Sequence, residues 1–84
     1  MVHSRKILTE RDIDIVTKIV YRKNTLLSVG LEYKLTKERI RQINRVALFI
    51  LYRNRNELLR FPEDVQSAIL AELLTSFEHM TRGT

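Results

Sequence analysis

With 84 residues, 44% of them hydrophobic, two glycines, one proline and no cysteine, the chain (1–84) has the size of a single domain, able to bury roughly 60 to 65% of its unfolded surface. The missing cysteines exclude disulfides and thiolate metal sites, no apolar run nears the roughly 20 residues of a membrane span, and the opening MVHSRKILTERD holds no apolar signal-peptide core. The formal charge of +5 is unevenly spread: Met1 to Arg45 holds eleven Lys/Arg against five Asp/Glu, whereas Val46 to Thr84 holds four against five. A basic first half favours a polyanionic partner, nucleic acid above all, and the expected setting is cytoplasmic and nucleoid-associated.

Few breakers and no sustained apolar/polar alternation predict an all-α fold. Thr9 is the expected N-cap of the first helix, with Glu10 and Asp12 suiting the helix dipole in its first turn and Ile13, Val16, Ile19 and Val20 on its buried side. Arg22, Lys23 and Asn24 end it, and Thr25 caps a short second helix through Tyr33, with Leu26, Val29 and Tyr33 inward. After a tight turn at Lys34 and Leu35, Thr36 caps a third helix that runs to about Asn54. At about 100° per residue, Ile40 and Ile43 take one side of it while Glu38, Arg41, Gln42 and Arg45 take the other. Beyond Val46 this helix is apolar all round, so Phe49 needs a cover. The remaining candidate is a fourth helix over 62–80, with Pro62 at the tolerated first-turn position. Its apolar stripe, Val65, Ile69, Leu73, Phe77 and Met80, is widened by Leu70 and Leu74, and its charges are only acidic.

The second helix, turn and third helix fit the spacing of a helix-turn-helix, giving a four-helix chain: a three-helix core over 9–54 and a long C-terminal helix. Gly30 stands where two steeply crossing backbones must meet. Val29, Tyr33, Leu35, Ile40 and Ile43 occupy the positions of the unit's small core. On the outer face, Arg41 can pair with guanine O6 and N7, Gln42 with adenine N6 and N7, and Glu38 can accept from cytosine N4. Lys37, Arg39 and Arg45, with Lys23 and Lys34, suit phosphate contacts that set register. Catalysis finds no support, since His3 and His79 lie near the termini with no ligand spacing around them, Ser4, Ser28, Ser67 and Ser76 have no base arrangement, and no glycine-rich phosphate loop is present; no metal or cofactor is expected. Tyr21, Tyr33 and Tyr52 fall on or beside apolar faces and read as core tyrosines.

The stretch TLLSVGLEYKLTKERIRQINRVAL, Thr25 to Leu48, resembles the helix-turn-helix of region 4 in bacterial primary sigma factors, and LTERDIDIV upstream resembles the opening of a region 4 or LuxR-type domain. The likeness runs from about Leu8 to Tyr52, with T-x-E-R-I-R-Q-I as its specific core. It implies that Lys37, Glu38, Arg41 and Gln42 match the residues that read the −35 promoter element. Lys37 departs from the family's usual arginine, and Lys34 stands where many such turns use glycine. With nothing before Leu8 to serve as region 2, the chain is not expected to be a complete sigma factor. The resemblance implies a small transcription regulator of a bacterium or phage that binds double-stranded DNA. It implies as well an alternative, an interaction module that docks on the β flap of RNA polymerase or on a sigma factor; a LuxR-like dimeric activator is a third reading. The surplus stripe of the last helix is expected to be buried against a partner, either in a homodimer that sets two recognition helices about 34 to 36 Å apart or on polymerase.

Overall fold

The computed structural model describes residues 7–78, and every regular element among them is helical. Helix α1 (Glu10–Val16) starts where Thr9 leaves extended backbone, φ −84° and ψ 168°. The Thr9 hydroxyl accepts the Asp12 amide at 3.2 Å while the Asp12 carboxylate accepts the Thr9 amide at 2.9 Å. This reciprocal cap satisfies two amides that a bare helix end would orphan, and it explains how a carboxylate can stand only 3% exposed. Asp12 therefore does more than suit the helix dipole. A five-residue π turn, Thr17–Tyr21, prolongs α1 until Lys23 adopts a left-handed conformation (φ 61°) and stops it.

Helix α2 (Leu26–Tyr33) is capped by Thr25, whose hydroxyl accepts the Ser28 amide at 3.0 Å. Helix α3 (Lys37–Arg53) follows from the Thr36 cap and ends at Asn54. A 3-10 segment, Arg55–Arg60, leads to α4 (Glu63–Leu73), which passes into a second π turn, Leu74–Glu78. Pro62 is the N-cap of α4 rather than its first helical residue. Met80, expected on the α4 stripe, lies outside the described residues.

Two apolar clusters organise these helices, and both α1 and α3 serve both. In the smaller, Ile15, Val29, Ile40 and Ile43 are buried, with Ile19, Leu26, Tyr33 and Leu35 packed around them. In the larger, Leu8, Val16, Val20, Ala47, Leu48, Ile50 and Leu51 meet Leu58, Phe61, Val65, Ile69 and Leu73. The second half of α3 is thus covered by α4 as expected. Burying each such aliphatic side chain stabilises the fold by roughly 1.5 to 3 kcal/mol.

Three features depart from expectation. Ile15 is fully buried whereas Ile13 and Ile19 are half-buried, because α1 presents two sides to two clusters and not one stripe to one. The 3-10 segment contributes Leu58 to the core and Phe61, the extended residue after it, joins it there; a segment that short carries no helical periodicity to betray it. It also ties down Leu8, whose amide donates to Glu57 Oε1 at 3.0 Å and whose carbonyl accepts from Arg60 at 2.7 Å. The Leu8 amide, and after it Arg60, hold the Glu57 carboxyl below the usual carboxylate range against the opposing effect of burial. Finally, Phe49 stays 46% exposed although Phe77 packs against it, and Leu70 and Leu74 face solvent.

Candidate nucleic-acid interface

What aims α3 is the junction before it. The Leu35 amide donates to the Gly30 carbonyl at 2.8 Å and the Lys34 amide to the Leu31 carbonyl at 3.3 Å, while Lys34 itself is left-handed (φ 60°, ψ 42°). This is a Schellman ending for α2, with Leu35 folding back onto the Val29 cluster. The chain then crosses so close over α2 that a Cβ on Gly30 would lie 2.5 Å from the Leu35 carbonyl oxygen. Glycine is required there for lack of space, since its φ is ordinary. Thr36 restarts the helix at once, its hydroxyl accepting the Arg39 amide at 3.1 Å.

The turn is closed at a cost. A left-handed lysine lies about 1 to 2 kcal/mol above a right-handed one, a penalty glycine avoids. Lys34→Gly is therefore expected to raise stability by about 1 kcal/mol, read as a higher urea midpoint at unchanged slope. Unchanged or lower stability would show that the lysine side chain compensates for its backbone.

Behind α3, Ile40 and Ile43 seat the helix with exposures of 0% and 6%. In front, Lys37, Glu38, Arg39, Arg41, Gln42 and Arg45 are all exposed. Every residue assigned to base reading thus stands on the open side of α3, together with three of the five assigned to phosphate. Lys34 adjoins the start of α3. Lys23 does not: it sits at the far end of α2, about 12 Å away along eight helical residues. Four of these side chains pair with one another. Arg41 gives Nε (2.7 Å) and a second guanidinium nitrogen to one Glu38 oxygen, and Arg39 reaches Gln42 Oε1 at 3.4 Å. An exposed pair of this kind is worth about 0 to 1 kcal/mol, less than the 1 to 3 kcal/mol of a bidentate guanine contact, so a base edge would win Arg41 from Glu38.

A polar clamp fixes α1 to α2 outside the smaller cluster. Tyr33 donates its hydroxyl to Asp14, while Lys18 binds Asp14 at 2.9 Å and also Glu32. Burial, then the hydrogen bond to Asp14, pushes the Tyr33 phenol up to about 12. Burial alone would raise the Asp14 carboxyl, but the Tyr33 and Lys18 hydrogen bonds hold it below its ordinary value. The hydrogen bonds to Glu32 and Asp14 raise the Lys18 ammonium above the usual lysine range. Tyr33 is thus a half-buried core residue with a satisfied hydroxyl, and Tyr52 is likewise half-buried, stacked on Phe77 at 5.0 Å. Tyr21 is instead 41% exposed and donates to Asp64 at 2.7 Å.

One polar residue was not legible in the sequence. Asn44 lines a cleft of about 320 Å³ with Arg41, Arg45, Leu48, Glu72, Ser76 and Phe77, and its buried Oδ1 accepts no hydrogen bond. Its place one turn beyond Arg41, beside the buried Ile43, was the available signal. The cleft also shows that Arg41 and Arg45 stand at the edge of the polar face nearest the acidic α4. Among the described residues no cluster of His, Cys, Asp or Glu could hold a metal ion, and no helix is long and apolar enough to cross a membrane. No protein-family model, curated protein or solved structure matches this chain.

Proposed function

We propose that this protein is a sequence-specific DNA-binding transcription regulator of a bacterium or phage, with α2 and α3 as a helix-turn-helix like that of sigma region 4. The observation that carries the reading is the division of α3: Ile40 and Ile43 anchored behind, and a row of exposed side chains in front that joins four cations to one acid and one amide. Arg41, Gln42 and Glu38 read base edges in the major groove. Lys37, Arg39, Arg45 and Lys34 bind phosphates, and Lys23 touches the backbone from the other end of α2. A second reading, docking on the β flap of RNA polymerase or on a sigma factor, is favoured by a separate observation, the apolar side chains left open on α3 and α4.

Binding to a duplex selected from a random library tests the first reading. Arg41→Ala is expected to cost about 1 to 3 kcal/mol on the preferred site and relax preference at one base, whereas Lys37→Ala should weaken all sequences alike and flatten the salt dependence. Both substitutions leave the fold intact, because the side chains are exposed. Undetectable binding at about 50 mM salt, or equal losses for Arg41→Ala on selected and random DNA, would refute base reading by this helix.

A further inference from the structure

Leu70, Leu74 and Phe49, with Phe77 packed between the last two, form one ridge with opposite charges at its ends. Glu63, Leu70 and Leu74 fall within about 40° of one another around α4. Phe77 follows one turn later, its ring 6.0 Å from that of Phe49 on α3, and the Arg53 guanidinium lies 5.8 Å from the Phe49 ring centre. The order is therefore acid, Leu70, Leu74, Phe77, Phe49, arginine. Leu70, Leu74 and Phe49 are 36%, 56% and 46% exposed, and the charge of α4 between Leu70 and the π turn, Glu72, is half-buried and lines the cleft with Arg41 and Arg45.

We propose that this ridge pairs with the same ridge of a second copy about a two-fold axis, making the protein a homodimer. Isologous contact reverses the order of one ridge against the other, so each Arg53 meets the partner's Glu63 while leucines and phenylalanines close the middle. A net charge of +5 repels copies from one another, and the cationic front of α3 would meet its own sign. Among the described residues the ridge combines open apolar area with a charge pattern complementary to its own reversal. A single heterologous partner would have to supply that reversed order by coincidence; a two-fold copy supplies it by symmetry.

Four apolar side chains from each copy make a small interface, at the weak end of specific association, so a Kd on the order of 10 µM is expected. The dimer does not depend on the DNA reading. It is tested on the full chain without DNA by sedimentation velocity, from about a tenth to ten times that concentration. The mass should rise from 10.0 kDa towards twice that value. Leu70→Glu and Leu74→Glu should each weaken association at least tenfold, while Leu31→Glu, at a more open leucine of α2, and Arg41→Ala should not. Arg53→Glu and Glu63→Arg should each weaken it, and the double reversal should recover most of the loss. Circular dichroism checks that each variant folds. A monomer over the whole range, a dimer indifferent to Leu70→Glu and Leu74→Glu, or a double reversal no tighter than either single one would overturn the proposal, as would a monomer that uses Leu74 to capture purified RNA polymerase. Failure of the dimer leaves DNA binding by a monomer intact, and failure of DNA binding leaves the dimer intact.

Discussion

Gly30→Ala is expected to destabilise the protein by about 3 kcal/mol or more, the top of the range for inserting volume where none is free. The added methyl would stand 2.5 Å from the Leu35 carbonyl oxygen, and its next neighbours are the Thr36 carbonyl carbon at 3.5 Å and Ile40 Cγ1 at 3.6 Å. The nearest obstacle is backbone, which cannot swing aside as a side chain would. It is also the backbone of the turn that aims α3, so relief of the clash would push α3 away from α2. The expected result in chemical denaturation is a lower midpoint; under the proposed function, any fraction still folded should also bind DNA less tightly than its stability alone accounts for. Helix propensity acts in the opposite direction, favouring alanine over glycine by up to about 1 kcal/mol, so a stabilised Gly30→Ala protein would mean that α2 and α3 cross less closely than the 2.5 Å approach requires.

Ile15→Ala should cost about 2 to 5 kcal/mol, as other fully buried aliphatic truncations do. Ile15 is 0% exposed and joins α1 to Val29, Ile40 and Ile43, so the cavity would open directly behind the cationic front of α3. A domain of this length has only about 4 to 13 kcal/mol of stability in total. Loss of a large part of it should be plain in thermal melts followed by circular dichroism. The neighbouring Ile13→Ala, at a half-buried position, should cost clearly less. Equal effects at the two positions would mean that α1 packs with one undivided face.

The contrast between Ile13 and Ile15 marks where reading along the chain stops being sufficient. Thr9, Thr25 and Thr36 announce three helix starts because capping is settled within four residues, by a hydroxyl and a nearby amide. Gly30, Val29, Leu35, Ile40 and Ile43 announce the turn between α2 and α3 because their spacing reflects a crossing of two adjacent helices. The segregation of Glu38, Arg41 and Gln42 from Ile40 and Ile43 follows from helical periodicity alone. All of these are short-range facts, and residue order records them.

Tertiary structure decided the rest. Isoleucine and valine at 13, 15, 16, 19 and 20 surround much of α1, and only the arrival of α2 on one side and α4 on the other selects Ile15 for one cluster and Val16 and Val20 for the other. Leu58 and Phe61 became core because the chain's first described residues are tied by hydrogen bonds to the segment that holds them. The left-handed Lys34 is imposed by closure of the turn and not by lysine's own preference. The pairing of Arg41 with Glu38 depends on rotamers rather than residue types. Burial is likewise a property of neighbours: α4 spends Val65, Ile69 and Leu73 on the core and leaves Leu70 and Leu74 outside, a division that an apolar stripe seven residues wide cannot express until the helices beside it are in place.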